Sequence, residues 1–207
     1  MKKCWYSVIM AVMALMLVVP VVAVSANAEK DASAAGFRDV STAHWARSQI
    51  ELAVQKGYVS GFPDGKFRPD EKVSRAQFIR MLVDALKLPH VEQGEPWYQP
   101  YVAAVIETGV HNKTDFNSEY DKFLTRLEMT RLIDRAVHVD TSNFTDKDYV
   151  IAATEHGLIH GKDRKDLNIN GHATRAESVV VIERVLEKAR GHKIPVSEDA
   201  VEAAWDL

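Results

Sequence analysis

The sequence predicts an all-α fold built from three related helix–loop–helix units. Three observations predict it. A four-residue phrase recurs as Ser74-Arg75-Ala76-Gln77, Thr125-Arg126-Leu127-Glu128 and Thr174-Arg175-Ala176-Glu177, its arginines 51 and then 49 residues apart. Each phrase sets a hydroxyl residue three positions before Glu or Gln and leads into an apolar run, the capping-box signature of a helix start. Around the phrases, apolar residues recur at helical spacing, and no segment alternates apolar and polar residues over the length of a strand.

Residues 1–28 differ in kind from the rest. Lys2 and Lys3 precede an apolar run from Val8 to Val24, and Ala26-Asn27-Ala28 supplies the small residues a signal peptidase reads. This predicts a secretory signal peptide cleaved after Ala28, with an uncleaved membrane anchor as the alternative. Residues 29–36 are small and polar and read as a linker. The first unit, 37–88, opens with Phe37-Arg38-Asp39-Val40 and His44-Trp45-Ala46. Trp45, Ile50, Ala53 and Val54 are expected on one face of a helix that Gly57 stops. Gly61-Phe62-Pro63-Asp64-Gly65 reads as a turn, and Phe78, Ile79, Leu82 and Leu86 form the apolar stripe of the second helix.

The second unit, 89–140, is degenerate. Trp97 stands 12 residues before Gly109, as Trp45 stands before Gly57, but the Pro-Asp-Gly turn is replaced by Asn112 to Asp121. The third unit, 141–190, restores Phe144-Thr145-Asp146 and Leu158-Ile159-His160-Gly161, with no Trp before Gly157. The tail, 191–207, holds a short helix from Ser197 to Trp205 that is expected to dock on the third unit.

Removing the first 28 residues takes away the lone cysteine and shifts the formal charge from −3 to −5. A mature chain without disulfides depends on a packed core. A mildly acidic chain is a poor binder of nucleic acid or anionic membrane, and no later stretch would insert stably in a bilayer. The arginine at the first position of each helix is unexplained by capping, because a helix N-terminus is partly positive. Its partner is either a structural carboxylate in another unit or an external anion.

Phe-x-Asp-Val, His-Trp-Ala, Gly-Tyr-Val-x-Gly, Pro-Asp-Gly-x-Phe-x-Pro and Ser-Arg-Ala-Gln together resemble the S-layer homology motif, over roughly residues 37–190. The resemblance is fullest in the first unit. In the second it is reduced to Trp97, Gly109 and the capping phrase. It implies three tandem motifs in a pseudo-threefold, three-pronged spindle. It further implies an exported protein held non-covalently at the bacterial cell wall or S-layer, through a pyruvylated secondary cell-wall polysaccharide bound in grooves between repeats. The arginine of the phrase is then the residue for the anionic ligand.

Side-chain chemistry agrees with that implication. A guanidinium matches a planar carboxylate, and free helix N-terminal amides would favour the same anion. Trp45 and Trp97 offer stacking faces, or else pack in the core. Asp39 and Asp146 accept from hydroxyls, and Gly61 and Gly161 admit a ligand close to the backbone. The candidate ligand-binding set is Arg75, Arg126, Arg175, Trp45, Trp97, Asp39, Gly61 and Gln77. No catalytic residue, cofactor or metal is expected. Asp166-x-Asn168-x-Asn170-Gly171 with Glu177 fits the calcium-loop expression, but the sister repeat lacks it and Glu177 is a cap. Glu128 and Glu177 head separate units and do not form the carboxylate pair of a glycan hydrolase. A protein-interaction scaffold at the cell surface, with eroded sugar sites, is the alternative function.

Overall fold

The computed structural model describes residues 36–91, 93–137, 141–161 and 166–207. The expected signal peptide and nearly all of the expected linker lie outside them, as do 138–140, at the boundary between units two and three, and 162–165, the segment before the calcium-like pattern. Seven helices run through the described residues: α1 Arg47–Lys56, α2 Arg75–Leu86, α3 Gln99–Glu107, α4 Arg126–Val137, α5 Asp146–Glu155, α6 Arg175–Ala189 and α7 Glu198–Trp205. The expected all-α class holds. The described residues form only isolated antiparallel bridges, Lys72 with Thr174, Ser74 with Phe123 and Thr125 with His172.

All three phrases are reciprocal caps. Ser74 and Thr174 accept from the third-position amide while Gln77 and Glu177 reach back to the cap's own N–H, and Thr125 and Glu128 do the same. Each cap contributes about 1 kcal/mol. The residues just before the caps form a closed ring. Val73 N–H donates to the Ala173 carbonyl at 3.1 Å, Ala173 N–H to Leu124 at 2.9 Å, and Leu124 N–H to Val73 at 2.9 Å. These three side chains are fully buried, so the ring marks a pseudo-threefold axis through the core.

The helices that pack in pairs are α2 with α3, α4 with α5, and α6 with α1. The packing pair is therefore the second helix of one unit with the first helix of the next, not the helix pair of the sequence repeat. Contact between α6 and α1 closes the circle. Glu183 on α6, buried, holds it by accepting from Lys56 at 2.5 Å and from the Tyr58 hydroxyl at 3.0 Å. In the tail, α7 docks on α5 through Ala200, Ala203 and Ala204, as expected. A Cβ on Gly157 would meet the Pro195 carbonyl at 2.5 Å, so the tail needs glycine there.

One expectation is corrected. Trp45 does not join Ile50 and Ala53 on the inner face of α1. The helix begins at Arg47, Ala46 takes the buried position, and Trp45 is 60% exposed.

Candidate functional site

The three phrase arginines sit at helix N-termini that converge on the axis. There the first two amides of each helix are taken by the neighbouring unit. Arg75 and Ala76 donate to Lys122 and Tyr120, Arg126 and Leu127 to Gly171 and Ile169, and Arg175 and Ala176 to Glu71 and Pro69, all at 2.8–2.9 Å. The cap hydroxyl takes the third. The expectation that free helix amides help hold an anion is thereby corrected. Unpaired donors at a buried axis are costly, and inter-unit carbonyls satisfy them.

The guanidinium groups follow the same rotation, and two of them reach the third helical residue of the next unit. Arg75 pairs with Glu128 through both Nε and Nη2, and its Nη1 donates to the Glu119 carbonyl at 3.0 Å. Arg126 Nη1 lies 3.2 Å from Glu177 Oε1, while Nε and Nη2 donate to the carbonyls of Leu167 and His160, both at 2.9 Å. Arg175 repeats the carbonyl pair on Phe67 and Ser60, both at 3.0 Å, but the residue in the glutamate position is Gln77. Among the described residues no carboxylate comes within ion-pair distance of Arg175. Burial lowers its pKa, against the more distant charges of Glu71 and Asp39, yet a guanidinium stays protonated.

Two grooves result, equivalent by register. One cavity of about 460 Å³ is lined by Gly61, Gln77, Arg80, Asp84, Trp97 and Arg175. The other, about 540 Å³, is lined by Gly161, Glu177, Arg184, Trp45, Arg126 and His160. Each combines the loop and second helix of one unit, the arginine of the unit before and the tryptophan of the unit after. Trp97 is 46% exposed and Trp45 more so, which leaves indole faces at the groove rims. Four of the eight expected residues, Arg175, Trp97, Gly61 and Gln77, thus meet in the first groove, and Arg126 and Trp45 in the other. At Gly61 a Cβ would stand 2.2 Å from the Phe37 ring, so only glycine lets the loop lie there.

In the second unit the corresponding space is filled by its own side chains. Buried Phe116 lies 4.7 Å from the Arg75 guanidinium. Asp115 takes Arg135 at 2.5 Å and faces buried His111 at 3.3 Å, and Arg135 Nε donates to the Tyr149 hydroxyl at 2.9 Å. Burial raises the Asp115 pKa, but the nearby His111, the Arg135 guanidinium and the Asn112 amide outweigh it and hold the carboxyl well below the usual range.

Asp39 lines neither groove. Its two oxygens accept the amides of Phe67 and Arg68 at 2.8 and 2.7 Å, which pins the turn. Asp146, its sequence counterpart, is the first residue of α5 and accepts from Arg131. In the calcium-like pattern, Asp166 accepts the Asn168 amide and Glu177 holds Thr174 and Arg126.

Sequence reasoning missed Arg80, Asp84, Arg184 and His160. The first three lie on a second stripe: Gln77, Arg80, Met81 and Asp84 are spaced 3, 4 and 7 apart, as are Glu177, Val180, Val181 and Arg184. Arg184 donates to the Leu158 carbonyl and meets His160 Nδ1 at 3.1 Å, while His160 Nε2 contacts the Pro195 carbonyl. Burial, then the Arg184 charge, pushes the His160 pKa down.

Two segments, 36–79 and 140–177, match the S-layer homology domain; these segments contain the turns and the arginine phrases of the two groove-bearing units. The chain is 32% identical over 118 residues to an S-layer protein of Bacillus thuringiensis subsp. finitimus, covering 53% of this chain and 14% of that protein. It is 28% identical over 179 residues to exoglucanase XynX of Acetivibrio thermocellus, 74% of this chain and 16% of that protein. It is 28% identical over 182 residues to the surface-layer 125 kDa protein of Lysinibacillus sphaericus, 75% of this chain and 15% of that protein. The chain thus spans about one-sixth or less of the length of these relatives.

Proposed function

We propose that this protein is an exported, non-enzymatic anchoring module that binds an acidic cell-wall polysaccharide, pyruvylated on its sugar, in its inter-unit grooves. The observation that carries the reading is the paired construction of the two grooves. Each brings an arginine from one unit and an exposed tryptophan from another against a loop, and in the first groove the loop lies where Gly61 leaves room for the Phe37 ring. An indole face suits the apolar face of a pyranose, and a guanidinium suits a ketal carboxylate. Local groups can hold an anion on a chain of net negative charge. The relatives named as S-layer proteins support a surface location. The relative named as an exoglucanase supports a module that serves different partners, because the shared segment is a small part of it.

Co-sedimentation with purified Gram-positive cell walls tests this. The chain lacking residues 1–28 is expected to pellet with untreated walls and to stay in the supernatant once mild acid has removed ketal-linked pyruvate. Equal pelleting before and after acid would overturn the reading.

A further inference from the structure

Glu128 and Glu177 each do two jobs with two oxygens. One oxygen accepts the cap amide, from Thr125 at 3.0 Å and from Thr174 at 2.9 Å, and the carboxylate also meets the arginine of the preceding unit. At the third position of the cycle Gln77 does the first job alone. Its Oε1 accepts the Ser74 amide at 2.8 Å, so the remaining atom, where a glutamate would offer an oxygen to Arg175, is an amide nitrogen. Arg175 and the Gln77 amide nitrogen are both donor-only groups. Among the described residues neither Arg175 Nη1 nor Gln77 Nε2 has an acceptor. Gln77 is exposed, and both residues line the 460 Å³ groove beside Trp97. Arg126, by contrast, is buried against a carboxylate that already neutralises it.

We infer that Gln77 makes the first groove the carboxylate site of this molecule, with Arg175 and the Gln77 amide jointly binding the carboxylate of an acidic sugar. The ligand supplies the negative charge that the protein itself supplies at the other two positions. This rests on the carbohydrate reading above. It adds that one groove of the two takes the charged group, and that one amide decides which.

Titration calorimetry on the chain lacking residues 1–28 tests the inference, with three probes: a methyl hexoside carrying a 4,6-pyruvate ketal, the methyl ester of that ketal, and methyl glucuronide. One ketal site per chain is expected, with the ester bound at least about tenfold more weakly. Gln77→Glu is expected to weaken ketal binding at least about tenfold while keeping a melting midpoint at or above the parent's, because the internal pair forms in place of the ligand. Stronger binding of glucuronide than of the ketal would support the carboxylate site and assign a uronic acid as its source. Ketal binding by Gln77→Glu within twofold of the parent, or two equal sites per chain, would overturn the inference and leave the carbohydrate reading standing. If the parent binds no probe yet still pellets with walls in an acid-sensitive way, the carboxylate assignment fails alone. If pelleting fails as well, the carbohydrate reading falls with it.

Discussion

Arg126 and Arg175 occupy the same position in two copies of one unit and donate to equivalent pairs of carbonyls 100 residues apart, yet they differ in what else they touch. Arg126 is a strut, buried and paired with Glu177. Arg175 makes the same two backbone contacts and shares its groove with Gln77. The difference is one oxygen exchanged for one NH₂ group at a residue whose capping job is unaffected. Repetition therefore preserves the backbone scaffold while a single side-chain atom decides whether a cation is neutralised internally. The second unit carries the contrast further: its loop, of different sequence but no greater length, places Phe116, His111 and Asp115 where the other units keep a groove.

The largest effect should come from Arg126→Ala. It removes a buried cation together with its ion pair to Glu177 and its bonds to two carbonyls, and a loss of about 3–4 kcal/mol is expected from urea denaturation. A loss below about 1 kcal/mol would make the strut assignment untenable. Asp115→Ala should follow at about 3 kcal/mol, because Arg135 loses its buried ion pair. The same carboxylate sets an acid limb. Its folded pKa lies below its unfolded value of about 3.9, so its contribution is complete above about pH 5 and fades as the pH falls below about 4. Asp115→Asn should therefore flatten the fall in urea midpoint between about pH 5 and pH 3; a limb as steep as the parent's would show that other carboxylates set it.

Arg175→Ala should cost only about 1 kcal/mol, since it strands two carbonyls and no charge, while removing retention on cell walls. If it destabilises as much as Arg126→Ala, the two arginines are equivalent and the contrast fails. The smallest stability effect belongs to Trp97→Ala, expected within about 0.5 kcal/mol of the parent because the indole is half exposed. Wall retention should nevertheless fall. A large drop in melting midpoint would instead mark Trp97 as a packing residue.

Much of the fold is legible in the linear chain. Hydroxyl-x-x-Glu/Gln marks each second helix because capping is satisfied within four residues, and the apolar stripe of α2 is read from Phe78, Ile79 and Leu82 because helical period is local. The site is only half legible. Trp45 sits one residue ahead of the inward register, and Ala46 takes the buried place. Asp39 looks like a groove acceptor until its two oxygens are seen on the Phe67 and Arg68 amides. Arg80 and Asp84 escaped notice because a groove-facing stripe of charged residues reads as an ordinary solvated face.

By itself the sequence determined the all-α class, the three helix starts, the glycine stops and the one odd residue in each phrase, since all of these depend on contacts a few residues apart. Only the tertiary structure decided that packing pairs join neighbouring units, that Val73, Leu124 and Ala173 close a ring, and that Arg75 and Arg126 meet the cap of the next unit while Arg175 does not. Those contacts join residues from about 15 to about 130 positions apart. They turn on how three copies close around an axis, a property of the assembled chain rather than of any one repeat.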